Sequence, residues 1–468
     1  MAAVTPLTRN ESGIAAAIDA LTARFGAALQ CGRALREQHG SSTTWIPSQA
    51  PDAVIYPRSA EDVARIVRIC ARHRAPVIAF GAGTSLEGHV NAPAGGITLD
   101  FRDMDHVLAV HDEDMDCVVQ PGVTRRRLNR YLRDTGLYFP VDPGADASLG
   151  GMAATRASGT NAVRHGTMKD NVLALEAVMA DGQVIRTAQR ARKTAAGYDL
   201  TRLLVGSEGT LGIITELTLR LQGRPEASAS AVCSFPTIRA ACDAVIMTLQ
   251  ACIPVARIEL LDALTVTAVN AYSGMAWPES PLLLLDFQGS EASVREQAQQ
   301  FGALAETCDG GAFRWSADAA ERARLWRARH DVYWAGCRLA PHKRGMSTDV
   351  CVPISRLAEA VTAAQALAQT LGFTAPILGH VGDGNFHVLL LVDMTDRAEV
   401  QRADRFIETL NDIAIDMQGT CTGEHGIGQG KLPYLTRELG AATAVMARIK
   451  QALDPQAILN PGKVLALP

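Results

Sequence analysis

Residues 76–89 read Pro76-Val77-Ile78-Ala79-Phe80-Gly81-Ala82-Gly83-Thr84-Ser85-Leu86-Glu87-Gly88-His89. The first five suit a buried strand. The glycines after them let backbone N–H groups approach an anion, usually a phosphate. Taken alone the loop is a weak signal, because most glycine-rich turns after a strand only turn. Its sequel decides the fold. A Rossmann unit runs from such a loop straight into an amphipathic helix. Here Asn91-Ala92-Pro93-Ala94-Gly95-Gly96 is a second loop, and Ile97-Thr98-Leu99-Asp100-Phe101 a second strand. A ligand cradle without a Rossmann helix is the starting point.

Upstream, Ser59-Ala60-Glu61-Asp62 predicts a capping box with Asp at the reciprocal position. It opens a helix with Val63, Ile66, Val67 and Cys70 on its apolar side. Before that, Ile14, Ile18, Leu21 and Phe25 follow helical spacing behind a Ser12 cap, and Gly26 ends the run. Downstream, 107–109 and 117–119 read as short strands and 124–134 as a basic helix. The segment 142–166 is then dominated by small and polar residues. Such a run lets backbone lie against a large flat ligand, or lets helix and strand pack closely; the residues alone allow both. A hairpin over 173–186, turning at Asp181-Gly182, precedes a third glycine loop, Gly206-Ser207-Glu208-Gly209-Thr210-Leu211-Gly212. That loop leads into a strand over 213–221.

Gly223-Arg224-Pro225 marks a boundary. After it, strands at 231–235, 255–261, 282–287 and 313–315 alternate with helices at 237–250, 291–307, 317–339, 355–371 and 397–417. The pattern predicts an antiparallel sheet covered by helices. Within it, Gly379-His380-Val381-Gly382-Asp383-Gly384-Asn385-Phe386-His387 lies between apolar runs and reads as a hairpin. Asp383-Gly384 suits a two-residue type I′ turn, which needs φ > 0 at both positions. That register sets His380 directly opposite His387. Two imidazoles side by side are half of a metal site, or an incidental pair. Cys421-Thr422-Gly423-Glu424-His425-Gly426 could supply a third ligand.

Composition limits the function classes. With 468 residues, 47% hydrophobic and 20% charged, the chain suits a soluble globular protein of two or three domains. A net charge of -4 gives no electrostatic reason to expect nucleic acid or an anionic membrane as partner. No apolar run approaches a membrane span; 281–287 is short and broken by Asp286. The first 25 residues carry no secretory pattern. Ten cysteines form no Cys-x-x-Cys pair, which argues for a reducing compartment and against zinc-ribbon or iron–sulfur sites.

Taken together and in order, FGAGTSLEG (80–88), PGADASLGGMAATRASGTNAVRHG (143–166), VGSEGTLGIITELTLRL (205–221) and the closing Ile458-Leu459-Asn460-Pro461-Gly462-Lys463 resemble the FAD-binding (PCMH-type) domain of vanillyl-alcohol-oxidase-type flavoproteins. The resemblance implies an α+β protein with a two-subdomain FAD-binding domain and an antiparallel-sheet α+β cap domain. The implied bounds are 1–223 for the first, 224–425 for the cap and 426–468 for a helical segment returning to the flavin. It also implies that Gly81, Gly83, Thr84, Ser85 and Gly88 wrap the pyrophosphate. Asp146, Leu149, Gly150, Gly151, Ser158, Gly159, Asn161, Arg164, Gly166, Ile213 and Asn460 would line the rest. His89 is a candidate for covalent attachment, though non-covalent FAD is the expectation.

WRARHD (326–331), STDVCVPIS (347–355), GHVGDGNFH (379–387) and CTGEHGIGQGK (421–431) narrow the likeness to FAD-dependent D-2-hydroxyacid dehydrogenases, most closely the D-lactate dehydrogenase (cytochrome) branch. That resemblance implies a divalent zinc or manganese ion on His380, His387 and Glu424. His425 would be the catalytic base and also touch substrate, Arg329 would hold the substrate carboxylate, and Asn385 would touch the substrate or metal shell. Hydride would pass to flavin N5. Electrons would leave to an external acceptor (cytochrome c, a quinone or an electron-transferring flavoprotein), since no haem or iron–sulfur motif is present. One position departs. The related D-2-hydroxyglutarate dehydrogenases carry a lysine two residues before the aspartate matching Asp349, and here Ser347 stands there. Loss of that charge-assisted partner favours a monocarboxylate such as D-lactate, unless Arg344 substitutes. The alternatives are D-2-hydroxyglutarate dehydrogenase, the FAD subunit of a glycolate oxidase, a metal-dependent hydrolase, and a non-catalytic flavin-binding module. The expected location is cytoplasmic, with peripheral attachment at the inner membrane as the variant, and a homodimer is left open.

Overall fold

The structure is a computed structural model and describes residues 7–466. The chain forms two compact units. The first comprises the chain up to Ser158, Gly166–Arg224 and the chain from Glu424 onward; the second comprises Gly159–His165 and Pro225–Gly423.

The first unit holds two small sheets with separate cores. One has four strands in the order Leu29–Gln30, Ala53–Ile55, Ile97–Asp100, Val77–Phe80, with the last three parallel. Helices Glu11–Phe25 and Ala60–His73 cover it and bury Ile14, Leu21, Val63, Ile66 and Val67 in one apolar cluster. The other sheet is antiparallel, in the order Val107–His111, Asp116–Val119, Ile213–Arg220, Val172–Val178, Val184–Arg186. The closing segment returns to the first sheet: Val77 N–H donates to Ile458 O at 2.8 Å, and Asn460 N–H to Val77 O at 2.8 Å. The first unit therefore has the two small α+β parts that the resemblance implies.

Two details of the predicted helices differ. Asn10, not Ser12, caps the first helix, with its side-chain oxygen accepting from Gly13 N–H at 3.1 Å. Asn and Ser are near-equivalent caps, so spacing alone could not choose between them. At Ser59 the cap is half of the expected box. Ser59 Oγ accepts from Asp62 N–H, but the Asp62 carboxylate reaches back to Arg58 N–H at 3.2 Å instead of Ser59.

The second unit is an antiparallel sheet in the order Arg314–Ser316, Ala227–Ser234, Leu282–Gly289, Arg257–Leu261, Ile377–Gly379, Asn385–Val392, Arg344–Ser347, with Val350–Cys351 also paired to Asn385–Val392. All eight residues of Asn385–Val392 are buried, so both faces of the strand are covered. This is why that strand reads as a continuous apolar run instead of an alternating one. The helix expected over 317–339 is broken. It forms Ala319–His330 and Val332–Cys337, with Asp331 at φ -82 and ψ 1 between them, outside the α-helical basin. Among the described residues no helix is long and apolar enough to cross a membrane.

Candidate active site

The hairpin carrying the two histidines is present, but its register differs from the expected one. Leu378 pairs with His387 and Ile377 with Val388. Asp383 is absent from the positive-φ residues and Gly384 alone reaches φ +80, so the type I′ condition fails. The loop instead spans 380–384, closed by Asp383 N–H to His380 O at 3.0 Å and Gly384 N–H to Val381 O at 3.3 Å. His380 therefore sits diagonally from His387 instead of directly opposite. The slip is two residues, an even number, so both side chains keep one face. Their rings meet edge-on with centroids 5.5 Å apart.

Each imidazole is held through Nδ1. His380 Nδ1 lies 2.7 Å from Glu259 Oε1, and His387 Nδ1 donates to Thr348 O at 3.0 Å. A carbonyl only accepts, so the neutral His387 ring carries its proton on Nδ1 and its lone pair on Nε2. That is the usual way a metal-binding histidine is oriented. Glu259 also takes Arg329, with Nε at 2.9 Å and Nη2 at 2.6 Å from Oε2. Glu259 is fully buried. Burial alone would raise its carboxyl, but His380 and Arg329 pull it below the ordinary carboxylate range. Sequence reading missed Glu259. The available signal was a lone carboxylate in the apolar strand Ile258-Glu259-Leu260-Leu261.

Around this pair, Asn385 donates both amide hydrogens, to Asp349 Oδ1 at 2.7 Å and Val350 O at 2.8 Å. Only its Oδ1 could then face a ligand. Thr422 Oγ1 donates to Asp349 Oδ2 at 2.8 Å, fixing the chain just before Glu424. Ser347 pairs with Leu389, two residues along from His387, so it shares the histidine face. Arg344 pairs with Val392 and projects to the opposite face. Within the second unit also lie Gly159, Asn161 and Arg164. Asn161 Oδ1 accepts from Arg257 Nε at 2.6 Å, and Arg164 Nη1 donates to Pro254 O at 2.5 Å.

The first unit holds the remaining predicted residues. Gly81 lies so close to Ser148 that a Cβ would fall 2.0 Å from its hydroxyl oxygen, and a Cβ on Gly151 would fall 3.0 Å from the same oxygen. Gly83 and Gly88 take φ +67 and +75. The hydroxyls of Ser85 and Ser148 are buried without a hydrogen-bond partner among the described residues. Buried polar atoms are normally satisfied, so two orphaned hydroxyls beside glycine loops suit a polar ligand such as a dinucleotide. Some residues have other duties. Gly150 packs on Pro121, where a Cβ would fall 2.4 Å away, and Leu149 and Ile213 are core residues. The Asp146 carboxylate accepts from Arg126 N–H at 3.2 Å and Thr124 Oγ1 at 3.3 Å. Ser158 is buried and Gly166 takes φ +71; Thr84 is half-buried in its loop. Asn460 Nδ2 donates to Glu208 O at 2.7 Å.

Glu424 and His425 open the last segment of this unit, both half-buried. His425 Nδ1 stands 3.8 Å from Glu87 Oε1, and Lys431 Nζ is 3.6 Å from the same oxygen.

Comparison with known proteins gives the family. Residues 51–188 match the FAD binding domain family and residues 224–464 match the family of FAD linked oxidases, C-terminal domain. The probable mitochondrial D-lactate dehydrogenase of Danio rerio is 52% identical over 440 residues, covering 93% of this chain and 88% of that protein. The mitochondrial D-lactate dehydrogenase [cytochrome] of Arabidopsis thaliana is 46% identical over 416 residues, covering 89% and 73%. Among solved structures, p-cresol methylhydroxylase with substrate bound aligns at a TM-score of 0.78 and 16% identity over 98% of both chains, which speaks for the fold alone. The two FAD-domain family matches, joined to near-complete matches at high identity, make this chain an FAD-linked oxidoreductase of the D-2-hydroxyacid dehydrogenase family, in its D-lactate dehydrogenase (cytochrome) branch.

Proposed function

We propose that the chain oxidises a D-2-hydroxy acid, preferentially D-lactate to pyruvate, and passes the electrons to an external acceptor. The observation that carries this is the buried His380–His387 pair with its Nδ1 atoms occupied by Glu259 and Thr348 O, which orients both rings as metal ligands. On the resemblance, His380 and His387 together with Glu424 would offer two imidazoles and a carboxylate, the kind of donor set that leaves positions open on zinc or manganese. The bound metal would supply Lewis acidity toward the substrate hydroxyl, and non-covalent FAD would accept the hydride at N5.

The chain's own residues do the rest. Arg329 spends Nε and Nη2 on Glu259, which fixes the guanidinium plane, and Nη1 would be the group that holds the substrate carboxylate. Glu259 thus orients a metal ligand and the substrate arginine together. Asn385 Oδ1 faces the substrate shell. His425 takes the hydroxyl proton, a role suited to imidazole near neutral pH.

Ser347 decides between D-lactate and a dicarboxylate. It lies on the histidine face, and Arg344 points the other way, so no cation on this strand replaces the lysine of the D-2-hydroxyglutarate enzymes. Ser347→Lys is expected to raise kcat/KM for D-2-hydroxyglutarate about 10- to 100-fold, as a charge-assisted hydrogen bond allows, and to leave D-lactate within a few-fold. Dye-linked turnover of both variants on D-lactate, L-lactate, glycolate and D-2-hydroxyglutarate tests the proposal. Wild-type preference for D-2-hydroxyglutarate would overturn the substrate assignment.

A further inference from the structure

One buried carboxylate in the first unit joins segments that the proposed reaction uses separately. Glu208 takes φ +55, a left-handed conformation uncommon for a residue with a Cβ, and is 5% exposed. Its Oε1 accepts from Ile427 N–H at 2.7 Å and its Oε2 from Gly428 N–H at 2.8 Å. His89 Nε2 stands 3.2 Å from Oε2. Asn460 Nδ2 donates both to Glu208 O at 2.7 Å and to His89 O at 3.3 Å. Lys463 Nζ ties Asn91 O at 2.7 Å to Asn460 Oδ1 at 3.0 Å. His89 and the turn after His425 therefore meet the Glu208 carboxylate, and the closing segment holds its backbone.

The turn sits directly on this pair. Gly426 takes φ +85, and a Cβ there would fall 2.7 Å from Glu208 Oε1 and 2.8 Å from His89 Nε2. Burial by itself would raise the Glu208 carboxyl; His89 and the two backbone N–H groups bring it below the ordinary range, so it is ionised at neutral pH. An ionised carboxylate in the interior needs such partners, and here two of them are the backbone of the catalytic turn.

We propose that Glu208, seated against His89, is a positioning residue for His425. By fixing the backbone at Ile427 and Gly428 it sets the direction in which the preceding residues leave the turn. The proposal rests on the reading of His425 as the base. Glu208 touches neither substrate nor reacting atoms and acts through the turn.

The test uses full-length holoenzyme. Glu208→Gln keeps the shape and one acceptor but sets an amide N–H2 against a backbone N–H. The expected result is unchanged FAD stoichiometry and unchanged reduction by dithionite. Turnover of D-lactate should fall about 10- to 100-fold in kcat, as loss of a hydrogen bond to a charged group allows, with KM within about threefold. Gly426→Ala, which pushes the turn off the carboxylate, should give the same kcat-selective loss. In a double-mutant cycle, Glu208→Gln should add nothing further to His425→Ala, because both act on one group. Full additivity in the cycle, wild-type kcat in Glu208→Gln, or loss of FAD together with turnover in both single variants would overturn the proposal. Near wild-type turnover in His425→Ala alone would instead overturn the base assignment beneath it.

Discussion

His425→Ala is expected to keep FAD and metal at wild-type stoichiometry and to lose about 10²- to 10⁴-fold in kcat on D-lactate, the span that a positioned general base contributes. The half-buried imidazole is followed at once by the turn whose backbone Glu208 holds. Its Nδ1 faces Glu87 at 3.8 Å, and Lys431 shares that carboxylate. The ring is half-buried and outside the apolar clusters described, and the alanine variant is expected to keep the fold. KM should move far less than kcat, because the substrate carboxylate is assigned to Arg329. Stopped-flow reduction of the flavin by substrate, beside metal analysis and the flavin spectrum, separates these quantities. Turnover within a few-fold of wild type would remove His425 as the base.

Metal depletion is expected to have an effect at least as large. Dialysis against a chelator should leave the flavin spectrum intact and abolish turnover, and zinc or manganese should restore it. His387→Ala should not be restored. Glu259→Gln should be intermediate, with metal affinity down about 10- to 100-fold, the usual cost of losing a hydrogen bond that orients a ligating histidine. Glutamine is the informative substitution. Removing the side chain would strand Arg329 in the interior, and breaking a buried pair in that way costs about 3–5 kcal/mol of stability. The measurements are metal content by elemental analysis and a binding isotherm for each variant. An enzyme indifferent to chelation would dismiss the metal assignment.

How much of this was legible in the sequence depended on range. The strand-to-glycine-loop passages are local. Glycine marks where the backbone needs φ > 0, so Gly83 and Gly88 were readable one at a time. The hairpin was legible for the same reason, but its turn was not. Asp383 can take positive φ and does not, since the loop closes at His380 and Val381 through overlapping turns. The histidines survived that misreading because strand alternation has a period of two and the register moved by two. Glu259 was out of reach. It stands 121 residues before His380, and only the sheet order brings the strands together. Glu208 was visible as a charge inside a glycine loop, but its partners lie 219 and 220 residues further on.

Anaerobic bleaching of the bound flavin tests the central claim most directly, because it needs no acceptor. Metal-loaded protein mixed with D-lactate should lose its visible flavin absorption in a single turnover, L-lactate should leave it unchanged, and chelated protein should fail with either. Bleaching that ignores the metal, or no bleaching by any 2-hydroxy acid, would contradict a metal-held D-2-hydroxy acid facing FAD.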